Sequence, residues 1–234
     1  MRNLIIFAFF VFALVATQYA KAQTADEVVD KYINALGGKD KLSTLKTVKM
    51  EGNLSMQGMD IALTITKKHL VGYRLDISLM GTENYQIITP DKGWVFMPVQ
   101  GQAAPEEMPE EMFKSGQTQL DIQSALLNYK DKGTTVEMAG KETVDTKECY
   151  KLNITFKNGV KTTYYITTQD NRLYKSVSKM TVNGETADVY NIFTDYKQNA
   201  EGFWFAYTST NMRGTTTYDK IETNVAVDDN IFKN

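Results

Sequence analysis

The sequence predicts an α+β fold that is mainly β: a strongly curved antiparallel sheet, or incomplete β-barrel, with helices covering its mouth. Most of the chain consists of short runs in which apolar and polar residues alternate, the period of a strand with one buried face. Turn residues such as Lys157-Asn158-Gly159 and Asn183-Gly184 separate these runs at hairpin spacing. Helical patterns occur at the N-terminus and in the middle of the chain, so we expect a meander of hairpins with helices packed across it.

The N-terminus has the pattern of a secretory signal peptide over residues 1–22. A basic start precedes an unbroken apolar run over Leu4–Ala16, and Ala20-Lys21-Ala22 fits the small-x-small cleavage pattern. The apolar run is too short to span a bilayer comfortably, and an uncleaved membrane anchor is the alternative interpretation. We therefore expect export with cleavage near Ala22 and one mature domain over residues 23–234. We do not expect an integral membrane protein.

Charge and residue counts argue against several functions. The formal net charge is −2 at pH 7 and the sequence has no basic cluster, so we expect no nucleic-acid partner and no attraction to anionic membranes. Cys149 is the only cysteine and His69 the only histidine. An internal disulfide is therefore impossible, a histidine metal site is essentially excluded, and Cys149 is expected to be a buried structural thiol. No cofactor is expected.

The mature chain is predicted to open with a helix. Thr24-Ala25-Asp26-Glu27 is a capping box, in which the side chains of Thr24 and Glu27 satisfy each other's backbone N–H groups. Apolar residues then recur at helical spacing on one face: Val28, Val29, Tyr32, Ile33 and Leu36. Gly37-Gly38 ends the helix, because glycine tolerates the left-handed cap conformation. A short helical turn is expected over Lys39–Leu45.

From Thr47 to Met97 the pattern changes to period two. Ile61, Leu63 and Ile65 alternate with small or polar residues, and residues 73–79 repeat the alternation. Further strands are expected over residues 84–89 and 94–97, on either side of a Pro-Asp-Lys-Gly turn. This half of the chain therefore predicts a series of hairpin-connected strands.

Residues 98–116 interrupt the regular pattern with three prolines, and we expect a mobile loop with one or two helical turns there. A helix is predicted from about Thr118 to Lys130. Its apolar residues cover much of its circumference, which is typical of a helix that is buried on two sides or faces a cavity. Short strands resume at about residue 134, and the apolar pair Ile231-Phe232 is expected to pack on the sheet.

Several segments carry a resemblance when they are taken in order. They are Ala25–Gly52, Gly72–Ile77 with Thr89–Gln102, Tyr164–Val177, and Phe193–Thr208 with Val225–Phe232. Together they are similar to the LolA/LolB-like family of periplasmic lipoprotein carriers, especially the outer-membrane lipoprotein-sorting proteins of Bacteroidetes-type bacteria. The resemblance spans nearly the whole mature chain. It implies an unclosed barrel in the periplasm, with a hydrophobic cavity that shelters lipoprotein acyl chains under a helical lid.

The candidate ligand-binding residues are apolar side chains of the first half of the chain, on or beside the expected cavity and lid. They are Met56, Leu63, Tyr73, Leu75, Ile77, Trp94, Phe96, Met97, Met108, Met112, Phe113, Leu120, Leu126 and Leu127. Methionine is common on surfaces that accept varied ligands, and plain core packing is the simpler explanation for any one of them.

One charged residue has a candidate role that comes from the resemblance. In the family carriers an arginine inside the barrel pins the lid by hydrogen bonds. Arg74 is the only arginine in the early strands and is the candidate here. Strand alternation places it on the side of Asp76, where it could instead face outward.

Three functions are considered. The first is a monomeric, non-catalytic periplasmic carrier that binds lipoprotein acyl chains or lipids and moves them toward the outer membrane, with an envelope protein as donor or acceptor. The alternative is a non-catalytic interaction or substrate-presenting module, for example one working with an envelope peptidase. An enzyme is not expected, because the acidic pairs Glu106-Glu107 and Glu110-Glu111 lack the spacing of a calcium loop and Asp228-Asp229 is typical of a turn.

Overall fold

A computed structural model describes residues 23–182 and 185–234. The signal peptide predicted for residues 1–22 and the turn predicted at Asn183-Gly184 lie outside the described residues. Within the described part of the chain, no helix has the length and apolar character needed to cross a bilayer.

The described residues contain α1 (Ala25–Ala35), α2 (Lys39–Ser43) and α3 (Glu110–Gln117). The predicted capping box is confirmed at α1: the backbone N–H of Glu27 donates to Thr24 Oγ1 at 3.2 Å, and the backbone N–H of Thr24 donates to Glu27 Oε2 at 3.1 Å. Two short 3-10 turns occupy Pro98–Gln100 and Asp229–Phe232. Helix therefore accounts for a small share of residues 23–182 and 185–234.

The strands follow the predicted meander closely. They are β1 (Thr47–Met56), β2 (Met59–Lys68), β3 (Gly72–Leu79), β4 (Thr82–Ile88), β5 (Gly93–Phe96), β6 (Glu106–Glu107), β7 (Thr135–Val144), β8 (Lys147–Thr155), β9 (Lys161–Thr167), β10 (Leu173–Val182), β11 (Glu185–Gln198), β12 (Trp204–Asn211) and β13 (Gly214–Thr223). In the described residues they form one antiparallel sheet in the order β6-β5-β4-β3-β2-β1-β13-β12-β11-β10-β9-β8-β7. The sheet curls without closing, since β6 and β7 are its two edges, and this confirms the predicted fold class.

The pairing of β1 with β13 joins the two halves of the sheet. Val48 lies opposite Lys67 on one side and opposite Thr223 on the other. A bulge interrupts the β1–β13 register at Glu51 and Gly52, where the strands approach so closely that a Cβ on Gly52 would lie 2.1 Å from the carbonyl oxygen of Thr217. Glycine is therefore required at this crossing of the two halves.

The chain crosses from one edge of the sheet to the other through residues 118–134, which we call the crossover segment. The prediction of a helix over Thr118–Lys130 is wrong: these residues form successive turns, and Ser124 and Asn128 have φ values of +91° and +50°. Side chains compete for the helix hydrogen bonds, because the N–H of Gln123 donates to Asp121 Oδ1 at 3.2 Å and the N–H of Leu126 donates to Ser124 Oγ at 3.3 Å. The apolar side chains of the segment are nonetheless buried against α1 and the sheet.

The C-terminal turn packs on the convex face of the sheet, against β3. Phe232 is buried there, and a Cβ on Gly72 would lie 2.3 Å from its ring. Lys68 Nζ forms an ion pair with Asp229 Oδ1 at 2.6 Å beside it. The expected packing of Phe232 against the sheet is thereby confirmed.

Candidate functional site

A cavity of about 660 Å³ lies between the concave face of the sheet and the layer formed by α1, α3 and the crossover segment. Its wall on the sheet side is more apolar than polar, and the apolar residues come from both halves: Met50, Leu54, Leu63, Ile65, Leu75, Ile77, Ile88, Phe193, Phe205 and Tyr218. Its cover contributes Tyr32, Leu36, Met108, Met112, Ile122 and Ala125. The volume falls in the range of about 300–1,000 Å³ that is usual for small-molecule sites.

Strand alternation explains why the wall is apolar. Ile65 of β2 lies between Met50 of β1 and Leu75 of β3, and all three side chains point inward. Successive side chains of a strand point to opposite faces, so every second residue of these strands contributes to one continuous apolar surface. The alternation of apolar and polar residues in the sequence therefore accounts for the apolar side chains of the concave face.

Hydrogen bonds tie the crossover segment to the sheet at two margins. On one side the backbone N–H of Leu70 donates to the carbonyl of Leu120 at 2.8 Å. On the other side Gln123 Nε2 donates to the carbonyls of Ser43 and Leu45 at 3.1 and 3.0 Å. The crossover segment therefore forms a fixed cover over the cavity in this structure.

Close packing also fixes α3 over β4. A Cβ on Gly116 of α3 would lie 2.4 Å from Ile88 Cδ1, so any larger residue at position 116 would push the Ile88 side chain aside. Met108, Met112 and Phe113 form a small apolar cluster with Ile88 at this end of the cavity. The helical turns expected within residues 98–116 are present as the 3-10 turn Pro98–Gln100 and α3, the short strand β6 was not expected, and the mobility of the segment stays a prediction.

Lys67 is the charged group that stands out in the cavity wall. It continues the inward-facing row of Leu63 and Ile65 on β2, and its Nζ lies 5.2 Å from the centroid of the Tyr73 ring. Nζ donates a hydrogen bond to Gln119 Oε1 of the crossover segment at 3.0 Å. Burial lowers the pKa of this ammonium to about 8. Among residues 23–182 and 185–234 no carboxylate forms an ion pair with it.

Neutral polar side chains also line the cavity, among them Gln86, Asn191 and Asn211, together with several tyrosines. Burial raises the pKa of Tyr73 and Tyr164 and raises that of Tyr218 to about 12, so all three remain protonated at neutral pH. The hydroxyl of Tyr196 donates to the carbonyl of Leu173 at 2.8 Å. The cavity therefore combines an apolar wall with neutral polar groups and three charged ones: the ammonium of Lys67, the carboxylate of Asp121 and the guanidinium of Arg213 at the β12–β13 turn.

The structure brings six of the predicted ligand-binding residues to the cavity. They are Leu63, Tyr73, Leu75, Ile77, Met108 and Met112. Four others pack in the layer behind it: Phe113 and Leu120 belong to the cluster around Ile88, and Leu126 and Leu127 belong to the main core with α1. These four shape the cover without lining the cavity.

Four predicted residues lie elsewhere. Trp94 and Phe96 point to the convex face, because β5 places them opposite Ile87 and Tyr85, and the Phe96 and Tyr85 rings are 5.4 Å apart. Met56 sits at the tip of the β1–β2 hairpin, and Met97 precedes the 3-10 turn Pro98–Gln100. The prediction that these four line the cavity is corrected: the residues of β5 were assigned to the wrong face, and the two methionines lie at strand ends.

Arg74 also lies on the convex face, so the prediction that it pins a lid is corrected. Its Nε donates to both carboxylate oxygens of Asp76 at 2.8 and 3.0 Å, and its Nη1 donates to the carbonyl of Ile231 at 2.9 Å. The guanidinium lies over the Tyr85 ring at 4.6 Å. It therefore fastens the C-terminal turn, which is the outward alternative that strand alternation had left open.

Sequence reasoning missed Lys67 and the aromatic residues of the second half of the chain. Phe193, Phe205 and Trp204 line the cavity, and Arg172 stacks on the Trp204 ring at 3.8 Å. The alternation along β2 contained the signal for Lys67. Residues 63, 65 and 67 point to the same face of the strand, and the first two are apolar residues of the cavity wall. The aromatic residues required knowledge of which strands face each other.

The reactive side chains show no catalytic arrangement in the described residues. Cys149 is buried, as expected, and burial raises the pKa of its thiol to about 11. His69 Nδ1 lies 3.8 Å from Asp121 Oδ1, Asp121 also pairs with Lys132, and burial lowers the pKa of the imidazole. Within residues 23–182 and 185–234 no group of three or more metal-binding side chains occurs.

The curled sheet and its covered cavity define the class of fold, an unclosed antiparallel sheet wrapped around an apolar space. Solved structures place it among LolA-like folds. A LolA superfamily protein from Nitrosomonas europaea aligns with a TM-score of 0.56 and 14% identity, covering 91% of this chain and 99% of that chain. A DUF1329 family protein from Desulfovibrio piger aligns with a TM-score of 0.57 and 13% identity, covering 89% and 97%. A domain assigned to the outer membrane lipoprotein-sorting proteins, from Vibrio parahaemolyticus, aligns with a TM-score of 0.53 and 13% identity, covering 88% of this chain and 95% of that chain.

These likenesses show the fold and confirm the fold that the sequence resemblance implied. No protein-family model matches the sequence, and the comparison with curated proteins gives no match.

Proposed function

We propose that this protein is a non-catalytic periplasmic carrier that holds an acyl chain of a lipid or lipoprotein in its cavity and delivers it toward the outer membrane. The observation that carries the proposal is the covered cavity of about 660 Å³ with a wall that is more apolar than polar. One protein of similar fold, the Vibrio parahaemolyticus domain, is named for outer membrane lipoprotein sorting. The predicted signal peptide over residues 1–22 agrees with the proposed location.

Burial of hydrocarbon supplies the binding energy. Each methylene that leaves water contributes about 0.8 kcal/mol, so about ten methylenes supply roughly 8 kcal/mol before the cost of ordering the chain is subtracted. Such binding needs no specific contacts, which suits a carrier of varied lipids. Release then requires an acceptor protein or a movement of the cover. The crossover segment is the proposed moving part because it lies over the cavity, and it would open if the hydrogen bonds at its two margins broke.

The first experiment is native mass spectrometry of the mature protein purified from a bacterial envelope without detergent. We expect adducts in the mass range of lipids or acylated peptides on a monomer. A clean apo mass together with no binding of a hydrophobic dye would refute the carrier function, and an envelope protein partner captured in the same preparation would favour the interaction module.

A pair of substitutions on one strand tests whether the cavity is the binding site. Ile65→Trp places an indole in the cavity and should reduce dye and lipid binding at least tenfold. Thr64→Trp adds the same side chain on the opposite face of β2 and serves as the matched control, with thermal unfolding to verify that both variants fold. Equal binding by both variants would show that the ligand sits elsewhere.

A further inference from the structure

We propose that Lys67 is the binding site for the anionic headgroup, a carboxylate or a phosphate, of a single-chain amphiphile whose tail occupies the cavity. The inference rests on the proposed carrier function and extends it, because it assigns a charge to the ligand and a direction to its chain. The apolar wall alone would accept a neutral chain equally well.

The position of Lys67 sets the direction. It lies toward the end of β2 at the margin of the crossover segment, where its Nζ meets Gln119. The inward-facing residues that precede it on the same strand, Ile65 and Leu63, are apolar and line the cavity. A ligand with its anion at Lys67 would therefore extend its tail along β2, and the rise of about 3.3 Å per residue gives that row a length of roughly 13 Å between residues 63 and 67.

The ammonium lacks a charged partner in the part of the chain that the structure describes. An ammonium has three donors, and the Gln119 side chain accepts from one of them. A buried charge is costly unless it is paired, and the low pKa of this group reflects that cost. The neighbouring strand positions on the concave face, Val48 and Tyr73, offer no carboxylate, and Asp121 of the cover is paired with Lys132. An anion brought by the ligand would supply the missing partner.

Neutral donors are available to share such an anion. Tyr73 and Tyr218 line the same cavity and stay protonated at neutral pH, so their hydroxyls can donate to an oxyanion. One ammonium with hydroxyl donors in a site of low dielectric is a favourable arrangement for a single carboxylate or phosphate group. The competing explanation is that Lys67 only ties down the crossover segment through Gln119.

Two ligands with the same chain separate these explanations. Palmitate and 1-hexadecanol differ in headgroup charge, and each is titrated against a neutral fluorescent probe bound in the cavity. The wild type should bind palmitate at least tenfold more tightly than the alcohol. Lys67→Gln should lose at least tenfold for palmitate and stay within twofold for the alcohol, and Lys67→Arg should retain most of the preference. Lys68→Gln, which alters the opposite face of β2, is the matched control.

Each possible result of these titrations either supports the proposal or overturns it. Equal loss for both ligands in Lys67→Gln would show that Lys67 merely holds the cover, and an unchanged preference would place the headgroup elsewhere; either result overturns the proposal while the carrier function stands. If neither ligand displaces the probe from the wild type, the carrier function fails as well. Lysophosphatidate and inorganic phosphate complete the set: displacement by the former shows that a phosphate headgroup is accepted, and displacement by the latter without a chain would overturn the amphiphile assignment.

Discussion

Replacing Lys67 by methionine should stabilise the empty protein at neutral pH. Methionine has similar length and no charge, so Lys67→Met removes an ammonium from the cavity wall while preserving most of the contacts of the side chain. The change is unusual because most substitutions destabilise a protein, and Lys67 is itself half-buried. The expected stabilisation follows from an ammonium that the folded chain desolvates without pairing it with a carboxylate in the described residues.

The magnitude follows from the pKa of the group. Burial lowers it from an ordinary value of 10.5 to about 8, and a shift of this size corresponds to roughly 3 kcal/mol against folding at pH 7. Loss of the hydrogen bond to Gln119 offsets about 1 kcal/mol of the gain, and solvent reaching the cavity reduces it further. We expect a net gain of about 1–2 kcal/mol in the free energy of unfolding.

The sign of the pH dependence is set by proton binding. Between pH 8 and pH 10.5 the unfolded chain binds more protons at residue 67 than the folded chain, so the stability of the wild type rises with pH across this window. The penalty is complete below pH 8 and absent above pH 10.5. The advantage of Lys67→Met should therefore shrink by roughly 2 kcal/mol between pH 7 and pH 10.

Urea unfolding of both proteins at pH 7 and pH 10 measures this difference, since other titrating groups are common to both and cancel. Lys68→Met, which removes a lysine and its ion pair with Asp229 from the opposite face of the strand, is the control and should not gain stability at pH 7. A stability difference that is independent of pH, or a loss of stability in Lys67→Met at pH 7, would refute the reasoning.

Further predictions concern the two faces of the sheet. Phe232→Ala should cost about 3 kcal/mol of unfolding free energy in urea, and a cost below about 1 kcal/mol would mean that the C-terminal turn contributes little. Arg74→Met should lower the urea midpoint without changing dye affinity; weaker binding would contradict its place on the convex face. Binding of a cavity ligand should alter the fluorescence of Trp204 and not of Trp94, as Trp→Phe variants of each would show. Cys149 should react with a thiol reagent at pH 8 only after unfolding, and rapid reaction of the native protein would contradict its burial.

The regular parts of the fold could be predicted from the sequence because each carries its own local signal. The capping residues around Thr24 and the helical spacing that follows indicate α1 independently of the rest of the chain. Period-two alternation in β2 and β3 shows both the strands and their apolar face, and Leu63, Leu75 and Ile77 consequently line the cavity as expected.

The parts that could not be predicted depend on contacts between distant segments. The crossover segment has the apolar content of a helix, yet local side-chain hydrogen bonds and the tie from Gln123 to Leu45 hold it in turns. Trp94 and Phe96 alternate correctly, but which side of the four-residue strand β5 faces inward depends on its pairing with β4. Lys67 was overlooked because a lysine in a strand is ordinarily placed in solvent.

The joining of β1 to β13 has a consequence for the order in which the molecule can form. Contacts at this junction link residues 178 positions apart in the chain, as in the hydrogen bond from the backbone N–H of Lys46 to Asn224 Oδ1 at 2.7 Å. Long-range pairing of this kind slows folding, because the intervening chain must be ordered before the contact forms. The hairpins of each half can form early, but the curved sheet is continuous only when β13 has paired with β1. The sheet can therefore enclose its concave face only after the last strand of the chain has paired with the first, so a molecule that lacks β13 should have no covered cavity.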